Sequence, residues 1–368
     1  MWRAATLGLC LLLIVVLFGA ERRSLAAPLS VKPTTEKRYG AHIDPQGGVH
    51  FVVYAPAAQQ VNLLLFQAQD AQDPSNVIPM KKVGDDWKIR VKGPGIGHGT
   101  LYLYQAKGPR TVSPGQPYGQ SFNEHYYLND PYAYDTQNVN YPAFFRASPL
   151  IDSRTVTYAG GGKSVVYEHG RDRTLNHVEI KREDLIVYEL HVQDYTARIP
   201  GLDPAKRGTY LGLAQRDLKT SAGLSAGLDH LVELGVNAVE LMPAMEFDET
   251  TGNEEGRLNH WGYMTTNFFA PEARYASVPG QQVAEFKRLI QAMHDRGIAV
   301  FLDTVYNHTG EQSPWTDEDG RLNAKYYNFR GLANTEVYRP TPDGTFYFNN
   351  TGTGNDAINC LKAIRLFN

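Results

Sequence analysis

Cysteine is almost missing from this chain, and that alone removes a structural class. Cys10 and Cys360 are the only two in 368 residues, so no disulfide framework staples the fold. A surplus of positive charge is missing too. Lys and Arg number 36 against 39 Asp and Glu, a formal net charge of -3, and such a chain has no broad basic field to displace counterions from nucleic-acid phosphates. A neutral partner suits that balance. A His-Glu-x-x-His pair, a cysteine cluster and a Walker-type glycine loop are absent as well, so zinc hydrolysis and phosphoryl transfer find no support. What the chain does have is length for two or three domains and 22 Tyr with 4 Trp. Such flat amphipathic side chains fill β-sandwich cores and also stack on sugar rings.

The first residues form their own composition class. Arg3 precedes an apolar run from about Leu7 to Ala20, followed by Glu21, Arg22, Arg23 and the small-residue stretch Ser24-Leu25-Ala26-Ala27. That order predicts a signal peptide over 1–26. An uncleaved anchor is the alternative, because the run approaches the length that spans a bilayer. With cleavage the mature chain is secreted or periplasmic, keeps no membrane segment and retains only Cys360.

Short β-type runs follow, broken by Gly, Pro and Asn: Val49 to Tyr54, Val61 to Phe66, Trp87 to Val91 and Leu101 to Gln105. They predict a small antiparallel sandwich over 36–145. The text from Gly108-Pro109 to Arg182 favours turns, with Asp130-Pro131-Tyr132-Ala133 as one of them, and 146–183 reads as a linker. After it, β and α signals alternate. Strands are expected at Leu185 to Leu190, Ala238 to Met242 and Ile298 to Leu302, and helices at Leu224 to Leu234 and Val283 to Arg296, the second ending at Gly297 in a left-handed cap. Two strand-helix-strand units imply parallel strands with right-handed crossovers. An open doubly wound sheet would begin the same way, but the first strand lacks a glycine-rich phosphate loop, which favours a (β/α)8 barrel whose first strands occupy 184–368.

Loops at the C-terminal ends of barrel strands build active sites, so the polar residues there come first. Asp303-Thr304-Val305-Tyr306-Asn307-His308-Thr309 follows the third strand. It serves either a substrate or a satisfied hydrogen-bond network at a strand end. After the second strand come Glu246, Asp248 and Glu249, then Asn259-His260-Trp261-Gly262-Tyr263 and Asn267-Phe268-Phe269-Ala270-Pro271. Aromatic faces stack on the C–H face of a pyranose while Asn and His bond its hydroxyls, though the same composition suits a loop packed on itself. The acidic residues offer oxygen ligands for Ca²⁺ without matching an EF-hand loop.

From about residue 40 onward these motifs resemble the α-amylase superfamily of glycoside hydrolases, closest to its isoamylase and glycogen-debranching branch. Five segments carry the resemblance: Leu128 to Ala133, Val187 to Val192, Asn259 to Pro271, Asp303 to Thr309, and Phe346 to Asn355. The third and fourth are the most specific. The resemblance implies a carbohydrate-binding type of β-sandwich ahead of a TIM barrel, α-glucan (glycogen, amylopectin, maltodextrin) as partner, and hydrolysis of α-1,6 branch points. It implies that Tyr263 stacks on the sugar next to the scissile bond and that His308 bonds that sugar's hydroxyls, with Trp261 beside them on the substrate side. It makes Asp303 and Asn307 supporting residues, and Glu246 and Glu249 resemble a calcium loop of some isoamylases.

The family takes its nucleophile and acid from the fourth and fifth strands. A Gly-Phe-Arg-Phe-Asp type segment and the later acid glutamate do not occur in this text, and Cys360 to Asn368 departs from the family wording. A retaining glycosidase needs two carboxyl groups about 5–5.5 Å apart. The expectation is therefore a truncated chain without hydrolase activity of its own. The competing readings are a non-catalytic α-glucan-binding protein and a fragment of a branching enzyme or pullulanase.

Overall fold

A computed structural model describes residues 28–109, 120, 122–137, 157–158, 162–169, 176–249, 259–311, 315–316, 322–323 and 328–339. The expected leader, the Phe346 to Asn355 motif and the Cys360 to Asn368 stretch lie outside the described residues.

Strands β1 (Ser30–Lys32), β2 (Gly40–Ile43), β3 (Val49–Tyr54), β4 (Gln60–Phe66), β5 (Asn76–Pro79), β6 (Lys81–Val83), β7 (Asp86–Lys92) and β8 (Leu101–Lys107) make most of the expected sandwich. One sheet runs β1-β7-β3-β2, with β6 also on β7. The other includes β4 between β8 and β5. Val49, Phe51 and Val53 of the first sheet and Val61, Leu63 and Leu65 of the second alternate into one core between the sheets. Strand β4 is buried on both faces, because Leu64 and Phe66 pack outward against Leu101, Leu103, Tyr127 and Val165. That second cover explains its nearly unbroken apolar run.

Strands β9 (Tyr126–Tyr127), β10 (Thr136–Gln137), β11 (Thr157–Tyr158) and β12 (Lys163–Val165) lie in the stretch expected to be loop and linker. β12 pairs antiparallel with β8, and β10 pairs with β12. The sandwich therefore extends past residue 145 into the expected linker. Two- and three-residue strands carry too little periodicity to be read before their partners are known.

The second part contains the three parallel strands β13 (Val187–Leu190), β14 (Ala238–Leu241) and β17 (Ala299–Leu302), in the order β13-β14-β17. Leu190, Val239 and Leu241 pack against Leu231 and Phe286 of the crossover helices Leu228–Glu233 and Gln282–His294. The helix expected from Leu224 begins only at Leu228, because Gly227 at φ +63° breaks the chain there and Ser225 bridges back to Lys219. The other end agrees with expectation: Gly297 adopts φ +71° and Ile298 N–H caps the Met293 carbonyl at 3.0 Å. The loop expected after the second strand folds into a bulged antiparallel ribbon of β15 (Met245–Phe247) and β16 (Thr265–Pro271). Among the described residues β13 and β17 each keep one edge without a strand, and Ile186, Val187, Tyr188, Phe301 and Leu302 stay exposed there.

The two parts share a core and a polar seam. Phe268, Phe329, Leu332 and Tyr338 join the sandwich cluster. Asp130 is fully buried; its carboxylate accepts from Tyr102 Oη at 2.7 Å, Tyr104 Oη at 3.2 Å and Tyr132 N–H at 2.9 Å, and its carbonyl accepts from Asn267 Nδ2 at 3.0 Å. The turn at this residue closes with Ala133 N–H on the same carbonyl at 3.1 Å, as the sequence predicts. Nearby, Gln282 Nε2 donates to Asp135 Oδ1 at 2.5 Å and to the Thr136 carbonyl at 2.6 Å.

Burial pushes the Asp135 carboxyl up to about 7 and that of Asp130 to about 6. An unfolded aspartate titrates near ~3.9, so the folded chain holds protons there that the unfolded chain releases. This contribution is complete below pH ~4 and is lost as pH rises through the folded value. Asp135→Asn keeps a neutral acceptor and removes the loss. Its Tm should fall less than that of the unsubstituted chain between about pH 5 and about pH 8; parallel slopes would mean that Asp135 ionises normally.

Candidate functional site

Parallel register fixes which side chains share a face. Glu189, Glu240 and Phe301 lie in one row across the three strands, on the side away from the helices that Leu190, Val239 and Leu241 cover. Beyond this row, at the C-terminal ends, Asp303 follows β17 and its N–H donates to the Leu241 carbonyl at 2.9 Å. Tyr263 Oη donates to Asp303 Oδ2 at 2.7 Å. Burial, then Asp303, Glu189 and Glu240, keep the Tyr263 phenol well above its usual range, so the hydroxyl stays a donor. Two residues expected on separate loops therefore form one unit.

His308 completes it in a way the sequence does not reveal. Its Nε2 donates to the Tyr263 carbonyl at 2.8 Å, and its Nδ1 lies 2.9 Å from the Asn307 carboxamide. The ring is 7% exposed and burial lowers its pKa, so it is neutral near pH 7. Sequence reading expects His308 to bond sugar hydroxyls. In the structure its Nε2–H holds the backbone of the aromatic Tyr263 in place. Trp261 is the residue turned outward, at 58% exposure, with its ring 5.6 Å from that of His260.

The shape of this loop depends on Gly262. It has φ +83°, and an added Cβ would lie 2.9 Å from the Phe247 ring and 3.1 Å from Pro243 Cβ. Only glycine fits both the left-handed backbone and the close approach. Asn267 then shapes the return, its Oδ1 accepting from Phe269 N–H at 2.9 Å and Ala270 N–H at 3.1 Å.

Glu246 and Glu249, the expected calcium ligands, are buried together with Asp248 and Glu272. Glu246 Oε2 accepts from Ala273 N–H at 3.1 Å, and Glu272 accepts from Phe247 N–H at 3.1 Å and Arg274 N–H at 2.8 Å. Burial, then Glu246 and Glu249, raise Glu272 well above the carboxylate range. Burial also raises Glu249, while the Arg274 guanidinium opposes that rise. Among the described residues Glu246 and Glu249 do not converge with a third Asp, Glu, His or Cys ligand atom around one ion.

Sequence reading passed over several other groups. Glu189 and Glu240 meet only through strand register. Glu311 accepts from Arg330 N–H at 3.1 Å and from Asn328 N–H and Tyr338 Oη, tying the loop after β17 to the helix Phe329–Val337. Gly223-Leu224-Ser225-Ala226-Gly227 spells a serine-hydrolase elbow. In the structure, however, Ser225 does not leave a strand end, and its Oγ is bonded to Glu233 and Lys219.

Comparison with known proteins agrees with this architecture. Residues 38–133 match carbohydrate-binding module 48 (isoamylase N-terminal domain), and residues 214–362 match the alpha amylase catalytic domain. An isoamylase of Pseudomonas sp. (strain SMP1) is 32% identical over 349 residues, covering 86% of this chain and 43% of the relative. A glycogen operon protein GlgX homolog of Mycobacterium bovis is 33% identical over 323 residues, covering 84% of this chain and 41% of the relative. The chain spans less than half the length of these curated relatives. A crystal structure of a mutant pullulanase from Paenibacillus barengoltzii complexed with maltotriose superposes with a TM-score of 0.65 at 26% identity, covering 90% of this chain and 45% of that one. The same enzyme with maltohexaose and alpha-cyclodextrin gives 0.64 at 25% identity, with the same coverage. A carbohydrate-binding module 48 thus precedes an α-amylase catalytic domain, and the chain belongs to the isoamylase type of the α-amylase superfamily.

Proposed function

We propose that this chain is the glucan-binding front of a debranching glycoside hydrolase acting on α-1,6 branch points of glycogen or amylopectin. The observation that carries the proposal is the Tyr263–Asp303–His308 unit at the ends of two barrel strands, with the exposed Trp261 on the same loop. Trp261 and Tyr263 offer aromatic faces to pyranose rings; Asp303 fixes the phenol and His308 the backbone behind it. Asn307 supports the His308 ring from its Nδ1 side. The isoamylase and glycogen-operon relatives and the maltooligosaccharides held by the pullulanases support α-glucan as the ligand class. The N-terminal leader supports a secreted or periplasmic location as part of the same proposal.

Retention on insoluble starch tests the binding half. Trp261→Ala should weaken retention roughly tenfold, the loss of about 1–1.5 kcal/mol of ring contact. Tyr263→Phe should cost less than Tyr263→Ala, because it keeps the ring and loses only the bond to Asp303. Wild-type retention by all three variants would remove this loop from the glucan site.

The reaction is tested on the complete gene product. Amylopectin should release reducing ends while its iodine colour deepens, as longer linear chains are freed. Falling iodine colour, from cuts within linear chains, would contradict α-1,6 specificity. Glucan retention with no bond cleavage would favour the non-catalytic binding protein.

A further inference from the structure

Three metal-ligating side chains meet where the first barrel strand ends. His191 follows β13 and caps the short helix Val192–Thr196, which carries Asp194 one turn on. His260 approaches from the loop that holds Trp261 and Tyr263. His260 Nε2 lies 2.9 Å from Asp194 Oδ2, and that oxygen lies 3.8 Å from His191 Nδ1. All three ligand atoms fall within 4.8 Å of one another. Tetrahedral zinc with bonds of about 2.0–2.1 Å spaces its ligand atoms about 3.3 Å apart, and the two separations at Asp194 Oδ2, 2.9 and 3.8 Å, bracket that spacing.

The hydrogen bonds already select the ligating nitrogen. His191 Nε2 lies 2.8 Å from the His260 carbonyl, which can only accept, so Nε2 carries the proton; the Tyr275 hydroxyl sits 3.0 Å from the same nitrogen. Nδ1 therefore presents its lone pair, occupied by a 3.3 Å contact from the Asp194 N–H. An imidazole that gives its second N–H to a backbone carbonyl is oriented as metal-bound histidines are. The stacked rings of His191 and His260, with centroids 4.4 Å apart, restrict both. His191 is buried, while the side chains of His260 and Asp194 are 41% and 60% exposed. An ion could thus reach the group from solvent and keep a water as its fourth ligand.

We propose that His191 Nδ1, Asp194 Oδ2 and His260 Nε2 form a site for one divalent transition-metal ion of the zinc class. Two imidazoles and one carboxylate suit Zn²⁺, Co²⁺ or Ni²⁺ and disfavour the oxygen-seeking Ca²⁺ and Mg²⁺. When the ion takes the place of the proton that His260 Nε2 shares with Asp194, the imidazole carries its proton on Nδ1 instead, so the ring stays neutral and Nε2 is free to ligate. The bound ion clamps the Trp261 loop to the start of the helix after β13. The site requires no glucan and stands or falls apart from the debranching proposal.

Titration calorimetry of the tag-free, chelator-treated chain with ZnCl₂ tests it, using CaCl₂ as the comparison. One Zn²⁺ should bind per chain, and Asp194→Asn and His260→Gln should each weaken it at least tenfold. Control substitution His98→Ala should leave it unchanged. His191 is buried, so the two exposed ligands are the ones to substitute, with circular dichroism confirming that each variant folds. Binding of less than one ion per chain, a His260→Gln curve that coincides with wild type, or equal heats from Ca²⁺ would overturn the assignment.

Discussion

Asp130 is a buried carboxyl through which the two halves of the molecule are bonded, as they are again at Asp135. Its carboxyl satisfies two tyrosine hydroxyls from β8, its N–H donates to Ser164 Oγ at 2.9 Å beside β12, and its carbonyl takes the Asn267 amide from β16. Removing any partner would strand polar groups away from water, which costs about 1–3 kcal/mol for each neutral group. The seam is thus all-or-nothing. Because Asn267 also shapes the ribbon that follows Tyr263, the position of the aromatic loop is tied to the sandwich through this side chain as well as through Phe268.

The site inherits its precision from that ribbon and from the strand ends. Tyr263 is held from three directions. Gly262 allows the backbone against Phe247, His308 binds the carbonyl, and Asp303 binds the phenol. Together these contacts fix the phenol and the backbone behind it. His191, Asp194 and His260 repeat the arrangement on the other side of the loop, linking it to the end of β13.

The longer elements were legible because their periodicity is strong. Val49–Tyr54 and Ala299–Leu302 fall within a residue of where alternation and apolar runs put them, and Gly297 ends its helix as expected. The short strands Thr136–Gln137 and Lys163–Val165 were not legible, because two or three residues have no period and become strands only by pairing with β8 or with each other. Spacing alone predicts a helix from Leu224, whereas the left-handed Gly227 starts that helix later.

By itself the sequence determined the order of domains, the parallel strands, the family type and the identity of Tyr263, Asp303 and Trp261 as the residues to watch. Those properties reside in local pattern and motif wording. The tertiary structure decided what each group does. It turned His308 inward as a brace, buried Glu246 and Glu249 together with Asp248 and Glu272, and joined His191 to Asp194 and His260. Burial, proton placement and the meeting of residues 66 or more positions apart are long-range quantities, set by how the chain packs and invisible to any window of sequence.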